Sequence, residues 1–189
     1  MIILASQSPR RAELLTQAGI DFRTLPADID ESMLDGEGAA DFVERIAIAK
    51  ARTVHADHPD RVVLGADTVV VLDHRVFAKP RDRNDGIEML LTLAGRSHEV
   101  LTGVAVVADS THYALSISRV QMRPIDAAEA AAYWDSGEPA DKAGGYAVQG
   151  LAAAFIERIE GSYSGIMGLP LFETVQLLGR AGTAPRWSV

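Results

Sequence analysis

The sequence predicts an α/β fold organised as a single mixed-sheet domain, and three observations predict it. Strand-like and helix-like segments alternate along 189 residues with no internal repeat. The run Val62-Val63-Leu64-Gly65-Ala66-Asp67-Thr68-Val69-Val70-Val71-Leu72 is too continuous for a one-sided strand and fits the centre of a sheet covered on both faces. A hydrophobic content of 48% over this length suffices for one substantial core, with room for two lobes.

Each element follows from local pattern. Ile2-Ile3-Leu4-Ala5 reads as a strand, Ser8 as an N-cap, Pro9 as the first helical position, and 11–18 as a short helix stopped by Gly19. A strand at 22–25 leads into the acidic loop Asp28-Ile29-Asp30-Glu31-Ser32. A longer helix at 39–54 carries Val43, Ile46 and Val54 on one stripe, and 55–60 ends it with turn residues and a proline. The central strand is turned back by Asp73-His74-Arg75. After Lys79-Pro80, a helix at 85–94 ends at Gly95, and strands at 98–108 and 113–122 form a hairpin around Asp109-Ser110. Asp126 caps an alanine-rich helix reaching Trp134 and stopping at Gly137. A glycine-rich loop at 138–145 precedes strands at 146–149 and 152–159. A last helix starts near Pro170 and ends at Gly179, leaving 180–189 as a loose tail.

Composition removes several function classes. A formal charge of −8 repels a general polyanion, so no nucleic-acid partner is expected, although a local cationic pocket remains open. The absence of cysteine excludes disulfides, thiolate metal sites and thiol nucleophiles. The longest apolar runs are far shorter than a membrane span, so a soluble, cytoplasmic protein with no membrane partner is expected. No GxxxxGK[ST], GxGxxG, GxSxG or HExxH motif is present, and His55 and His58 lie in a helix-ending turn.

A few residues break their local rules. Arg10 and Arg11 occupy the first turn of a helix, where the dipole is already positive and each cation costs ~0.3 to 1 kcal/mol unless an anion arrives. A strand, a tight polar loop, helical N–H groups and two guanidiniums describe a socket for a phosphate chain. Solvated surface arginines are the plainer alternative. Asp67, an ionisable carboxylate among valines, must be paired, protonated or placed at a cleft. Lys50 continues the Val43–Ile46 stripe, pointing an ammonium along an apolar face, unless it snorkels. Lys79 precedes Pro80 and is extended at the end of a hairpin, a place equally suited to a surface lysine. Glu31, beside Asp30, is a loop carboxylate suited to a metal or to solvent. Together these residues supply cations and hard oxygen ligands, the two ingredients of metal-assisted phosphoryl or nucleotidyl chemistry.

The same residues resemble the Maf-type nucleoside triphosphate pyrophosphatases. The matching runs are Ala5-Ser6-Gln7-Ser8-Pro9-Arg10-Arg11, Asp30-Glu31-Ser32, Ala49-Lys50-Ala51, Gly65-Ala66-Asp67-Thr68-Val69-Val70, Lys79-Pro80-Arg81-Asp82, Gly95-Arg96-Ser97-His98, Asp141 through Gly150, and Gly168-Leu169-Pro170-Leu171. Ala78 departs from the glycine expected before Lys79. The resemblance implies a Maf/ITPase-like single domain over 1–189 with two lobes around a central cleft. It further implies cleavage of a nucleoside triphosphate between its α and β phosphates with a divalent cation, Mg or Mn, and a homodimer. By the same carry-over Asp67 is the proton acceptor, Ser6, Arg10, Arg11, Lys50 and Lys79 hold the phosphates, and Glu31 with Asp67 serves the metal. Arg11, Thr68 and Gln149 are the positions that sort substrates, and their combination is similar to the subgroup acting on dTTP and UTP. A glutamine amide offers the donor and acceptor that the O4 and N3–H edge of uracil or thymine requires. The alternatives are a sister subgroup acting on 7-methyl-GTP and a non-catalytic nucleotide-binding regulator of cell division.

Overall fold

The computed structural model describes residues 1–185 and Trp187. In chain order it contains β1 (Ile2–Leu4), α1 (Pro9–Gln17), β2 (Phe22–Thr24), α2 (Ala39–Asp57), β3 (Val63–Leu72), β4 (Arg75–Phe77), α3 (Arg83–Leu93), β5 (Ser97–Val107), β6 (Thr111–Met122), α4 (Ala127–Asp135), β7 (Ile156–Glu160), α5 (Tyr163–Ile166) and α6 (Leu171–Arg180). The strands form one mixed sheet in the order β2-β1-β3-β5-β6-β7, with β4 attached to β3. The expected α/β class and the interior position of the valine-rich strand are both present, and β3 is buried along nearly its whole length. The chain divides into two compact units. The first comprises Met1–Asp67, Thr102–Ser116 and the chain from Gly168; the second comprises Thr68–Leu101 and Ile117–Met167.

In the first unit β1 runs parallel to both β2 and β3, with Ile3 opposite Arg23 on one side and Val63 on the other. Parallel neighbours need long crossovers, and α1 and α2 supply them. The buried face of α2 is Phe42, Val43, Ile46, Ala47, Lys50, Ala51 and Val54, an apolar stripe at helical spacing with one lysine in it. Its backbone meets glycines on the sheet, at Ala47 and Ala51 for Gly65 and at Val43 for Gly103. A Cβ at Gly65 would lie 2.3 Å from the Ala47 carbonyl oxygen and 2.9 Å from the Ala51 nitrogen, and one at Gly103 would lie 2.6 Å from the Val43 carbonyl oxygen. The backbone of α2 therefore rests directly on β3 and β5. Ile3, Ala5, Ala47, Ala51, Val54, Val63, Ala105 and Val107 close the core around this contact. At the far end of α1, Trp187 Nε1 donates to the Ala18 carbonyl at 2.7 Å. The segment expected to be a loose tail is therefore held at several points, since Arg180 ends α6 and Thr183 N donates to the Leu178 carbonyl at 2.9 Å, while Arg186, Ser188 and Val189 lie outside the described residues.

The second unit has its own core, in which Val70, Leu72, Phe77, Leu90, Leu93, Val120, Met122 and Tyr133 are buried together. The β3–β4 hairpin turns on Asp73 and His74, both at positive φ (48° and 66°), the backbone of a tight two-residue turn. Asp82 caps α3 by accepting from Asp85 N at 2.9 Å, and Asp126 with Glu129 forms a full capping box on α4. Two expectations fail here. Residues 146–149 are not a strand, and 151–155 form a 3-10 turn, so only Ile156–Glu160 of the expected 152–159 segment pairs with the sheet. The apolar pattern that suggested strands reflects burial of Tyr146, Ala147 and Val148 in irregular backbone. A short helix at Tyr163–Ile166, capped by Ser162, also escaped the sequence reading.

Two measurements test this packing. Gly65→Ala forces a side chain into the α2 backbone, so the urea midpoint should fall by an amount equivalent to ~2 to 3 kcal/mol; an unchanged midpoint would show that the helix can lift at little cost. His98, buried and hydrogen-bonded to Tyr146 at 2.8 Å, is held by burial at about 4 against 6.5 when free. The unfolded chain thus takes up a proton that the folded one refuses, and stability should decline as pH falls from about 6.5 to 4. Melting temperatures of His98→Gln across that window should slope less than those of the parent.

Candidate active site

The loop after β1 and the first turn of α1 make the first half of the site. Ser8 stands at the N-cap in extended geometry but makes no side-chain cap bond. Ser6 Oγ accepts from Ser8 N–H at 3.2 Å and from Arg11 Nη1 at 3.0 Å. Arg11 Nε donates to the Gly168 carbonyl at 2.8 Å, so the buried guanidinium is oriented from two sides. No acidic residue lies in the first turn, which carries both Arg10 and Arg11. Burial pulls the Arg11 pKa below its ordinary value; Asp67 opposes this most, Arg10 adds to it, and Glu31 opposes it. The positive end of α1 is therefore electrostatically coupled to the carboxylates described next, and it remains a cationic hydrogen-bond donor.

Those carboxylates gather on Lys50. From the buried face of α2 its Nζ donates to Asp67 Oδ1 at 2.9 Å and to Glu31 Oε2 at 2.6 Å. Asp67 lies on the same face of β3 as Gly65, two residues earlier, so the close helix–strand contact sets the distance that Lys50 spans. Lys50 and Asp67 are buried, whereas the Glu31 side chain is 51% exposed. An unpaired buried charge would be prohibitive, and the mutual pairing of Lys50 and Asp67 is what allows both to be inside.

The Glu31 loop is held by residues that the sequence reading missed. Arg45 of α2 grips Glu37 through two bonds, Nε to Oε1 at 2.6 Å and Nη2 to Oε2 at 2.7 Å, and reaches the Ser32 carbonyl at 2.9 Å. Glu37 Oε2 also accepts from Leu34 N at 3.0 Å, and the Arg45 contact holds its carboxyl at about 2. Asp30 Oδ1 accepts from Ser32 N at 2.9 Å. The only sequence signal was a basic residue near the start of a helix that follows an acidic loop.

The structure thus brings Ser6 and Arg11 into one hydrogen-bonded group and Lys50, Glu31 and Asp67 into another, with Arg10 half-buried beside Arg11. Thr68, Lys79 and Gln149 belong to the second unit: Thr68 half-buried on β3, Lys79 exposed just after β4, and Gln149 exposed in the turn after buried Val148. Among the described residues no group of three or more His, Cys, Asp or Glu side chains could hold a metal by itself. Two carboxylates sharing one ammonium still suit a hard divalent cation that takes its other ligands from phosphate oxygens and water. Among the described residues no helix is long and apolar enough to cross a membrane.

The chain resembles curated proteins over nearly its full length. It is 52% identical over 183 residues to the dTTP/UTP pyrophosphatase of Alkalilimnicola ehrlichii, covering 94% of this chain and 91% of that protein. It is 52% identical over 185 residues to the dTTP/UTP pyrophosphatase of Hahella chejuensis, covering 96% and 92%. Among solved structures, the Staphylococcus aureus Ham1 protein aligns with 64% of this chain and 71% of its own at 15% identity and a TM-score of 0.47. The family model described as Maf-like protein matches residues 1–181, a span that takes in every charged group assembled above, and the chain therefore belongs to the Maf family.

Proposed function

We infer that this chain is a nucleoside triphosphate pyrophosphatase that hydrolyses dTTP and UTP to the monophosphate and pyrophosphate. The observation that carries the reading is the Asp67–Lys50–Glu31 group on the sheet beside a helix start bearing Arg10 and Arg11, in a chain about half identical to dTTP/UTP pyrophosphatases.

In this reading water adds across the α–β bridge of the triphosphate: one P–O bond forms, the bridging P–O bond breaks, and pyrophosphate leaves. Asp67 accepts the water proton, and its carboxylate is aimed by the bond from Lys50 Nζ. Arg11, with Ser6 bracing its guanidinium, and Arg10 meet the phosphate oxygens at the positive end of α1. Lys50 and Lys79 add positive charge against the negative charge developing on the leaving group. A divalent cation, Mg or Mn, held by Asp67 and Glu31 would supply charge neutralisation to the triphosphate. The amide of Gln149 presents one donor and one acceptor, the complement of N3–H and O4 of uracil or thymine, and Arg11 and Thr68 complete the set that sorts substrates.

Purified protein assayed with Mg or Mn against dTTP, UTP, CTP, ATP, GTP and 7-methyl-GTP should release pyrophosphate fastest from dTTP and UTP and lose that activity on chelation. Preference for 7-methyl-GTP, or saturable nucleotide binding with no turnover under any metal, would refute the assignment. Asp67→Asn should lower kcat by roughly 10²- to 10⁴-fold with its circular dichroism spectrum retained. Turnover close to the parent in that variant would remove Asp67 as the proton acceptor.

A further inference from the structure

Residues 146–150, which carry Gln149, form neither helix nor strand, so N–H groups along this stretch and its flanks have no strand ladder to supply their partners. Tyr133 of α4 and Glu138 of the 3-10 turn that follows it (Glu138–Asp141) supply several. Tyr133 Oη accepts from Ala147 N at 3.1 Å and donates to Glu138 Oε1 at 2.6 Å. Glu138 Oε2 accepts from Leu151 N at 2.9 Å, and Oε1 from Ala152 N at 3.4 Å. One phenol–carboxylate pair thus fastens the backbone two residues before Gln149 and two residues after it. The carboxylate also lies tight against the chain, since a Cβ on Gly150 would sit 2.0 Å from Glu138 Oε2.

The pair is built to hold. The Tyr133 ring is buried edge-on against Phe155, with centroids 5.4 Å apart. Burial, then the Glu138 contact, pushes the phenol above its ordinary value and keeps it a proton donor. Burial pushes Glu138 up, but its bonds to Tyr133, Leu151 and Ala152 outweigh that and leave it below the ordinary carboxylate value, an acceptor at neutral pH. Lys142 Nζ closes the far side through the Glu138 carbonyl at 2.6 Å. A merely apolar plug would fill the same space and leave the N–H groups of Ala147, Leu151 and Ala152 without these acceptors.

We propose that Tyr133 and Glu138 are positioning residues for base selection: as a hydrogen-bonded pair they fix the backbone on both sides of Gln149 and so aim its amide at the pyrimidine edge. This rests on the reading of Gln149 as the residue that recognises the base.

Tyr133→Phe keeps the ring and its packing while deleting the hydroxyl, and the test is kcat/KM for dTTP, UTP, CTP and ATP with Mg, together with melting temperature. The expected result is a fall of about tenfold for dTTP and UTP, carried by KM, with CTP and ATP within about twofold of the parent. Glu138→Gln should shift the same ratio and serves if Tyr133→Phe does not fold. Combining Tyr133→Phe with Gln149→Ala should cost no more discrimination than Gln149→Ala alone. Equal losses for all four nucleotides, an unchanged ratio, or additive effects in the double variant would overturn the positioning role. If Gln149→Ala alone leaves the ratio untouched, base recognition by Gln149 fails and the proposal falls with it. If Gln149→Ala collapses the ratio and Tyr133→Phe does not, the positioning role alone is wrong.

Discussion

Direct contact between the α2 backbone and the glycines of β3 and β5 is the constraint on which the first unit depends. Gly65 and Gly103 remove the side chains that would hold the helix away from the sheet. Ala47 and Ala51 keep the helix side of that contact small. Lys50 sits between them, and Asp67 is two residues beyond Gly65 on the same strand face, so the ion pair spans 2.9 Å because the two backbones are nearly touching. Ordinary apolar side chains at these positions would give an equally good core and a lysine too far from its carboxylate.

Charge at this place is demanding because most of it is out of water. Arg11, Lys50 and Asp67 are all buried in a chain with a net charge of −8. Breaking a buried pair costs about 3–5 kcal/mol, a large part of the stability of an ordinary domain, so each member constrains the others. Glu31, half in solvent, is the least committed partner of Lys50. Its place is set instead by the Arg45–Glu37 grip on the loop. The Lys50–Asp67 half of the cluster is thus enclosed between helix and sheet, and its Glu31 half opens to solvent on a braced loop.

Much of this was legible in the residues because they violate simple patterns. An aspartate among valines and a lysine on an apolar stripe each stood out alone, and the structure pairs them with one another, while Arg11 of the two arginines at a helix start is bonded to Ser6. The alternation of strands and helices likewise forecast one mixed sheet. What stayed hidden lacks a local signature. Tyr146-Ala147-Val148 looks like a strand because it is buried, but the N–H groups of Ala147 and of nearby Leu151 go to Tyr133 and Glu138 rather than to a ladder. The Arg45–Glu37 grip joins residues eight apart across a loop-to-helix boundary, beyond any helical or strand period. Ser6, rather than Ser8, braces the first turn of α1, a substitution of one serine for another that spacing alone does not resolve.

The turn between β3 and β4 has a separate implication for engineering. Asp73 and His74 occupy left-handed backbone that favours asparagine or glycine, and a β-carbon at the second of them is tolerated there only at some cost. Asp73 has a reason to remain, since its carboxylate meets Arg96. Among the described residues no side-chain hydrogen bond or ion pair holds His74, which makes it a natural first position for raising heat tolerance.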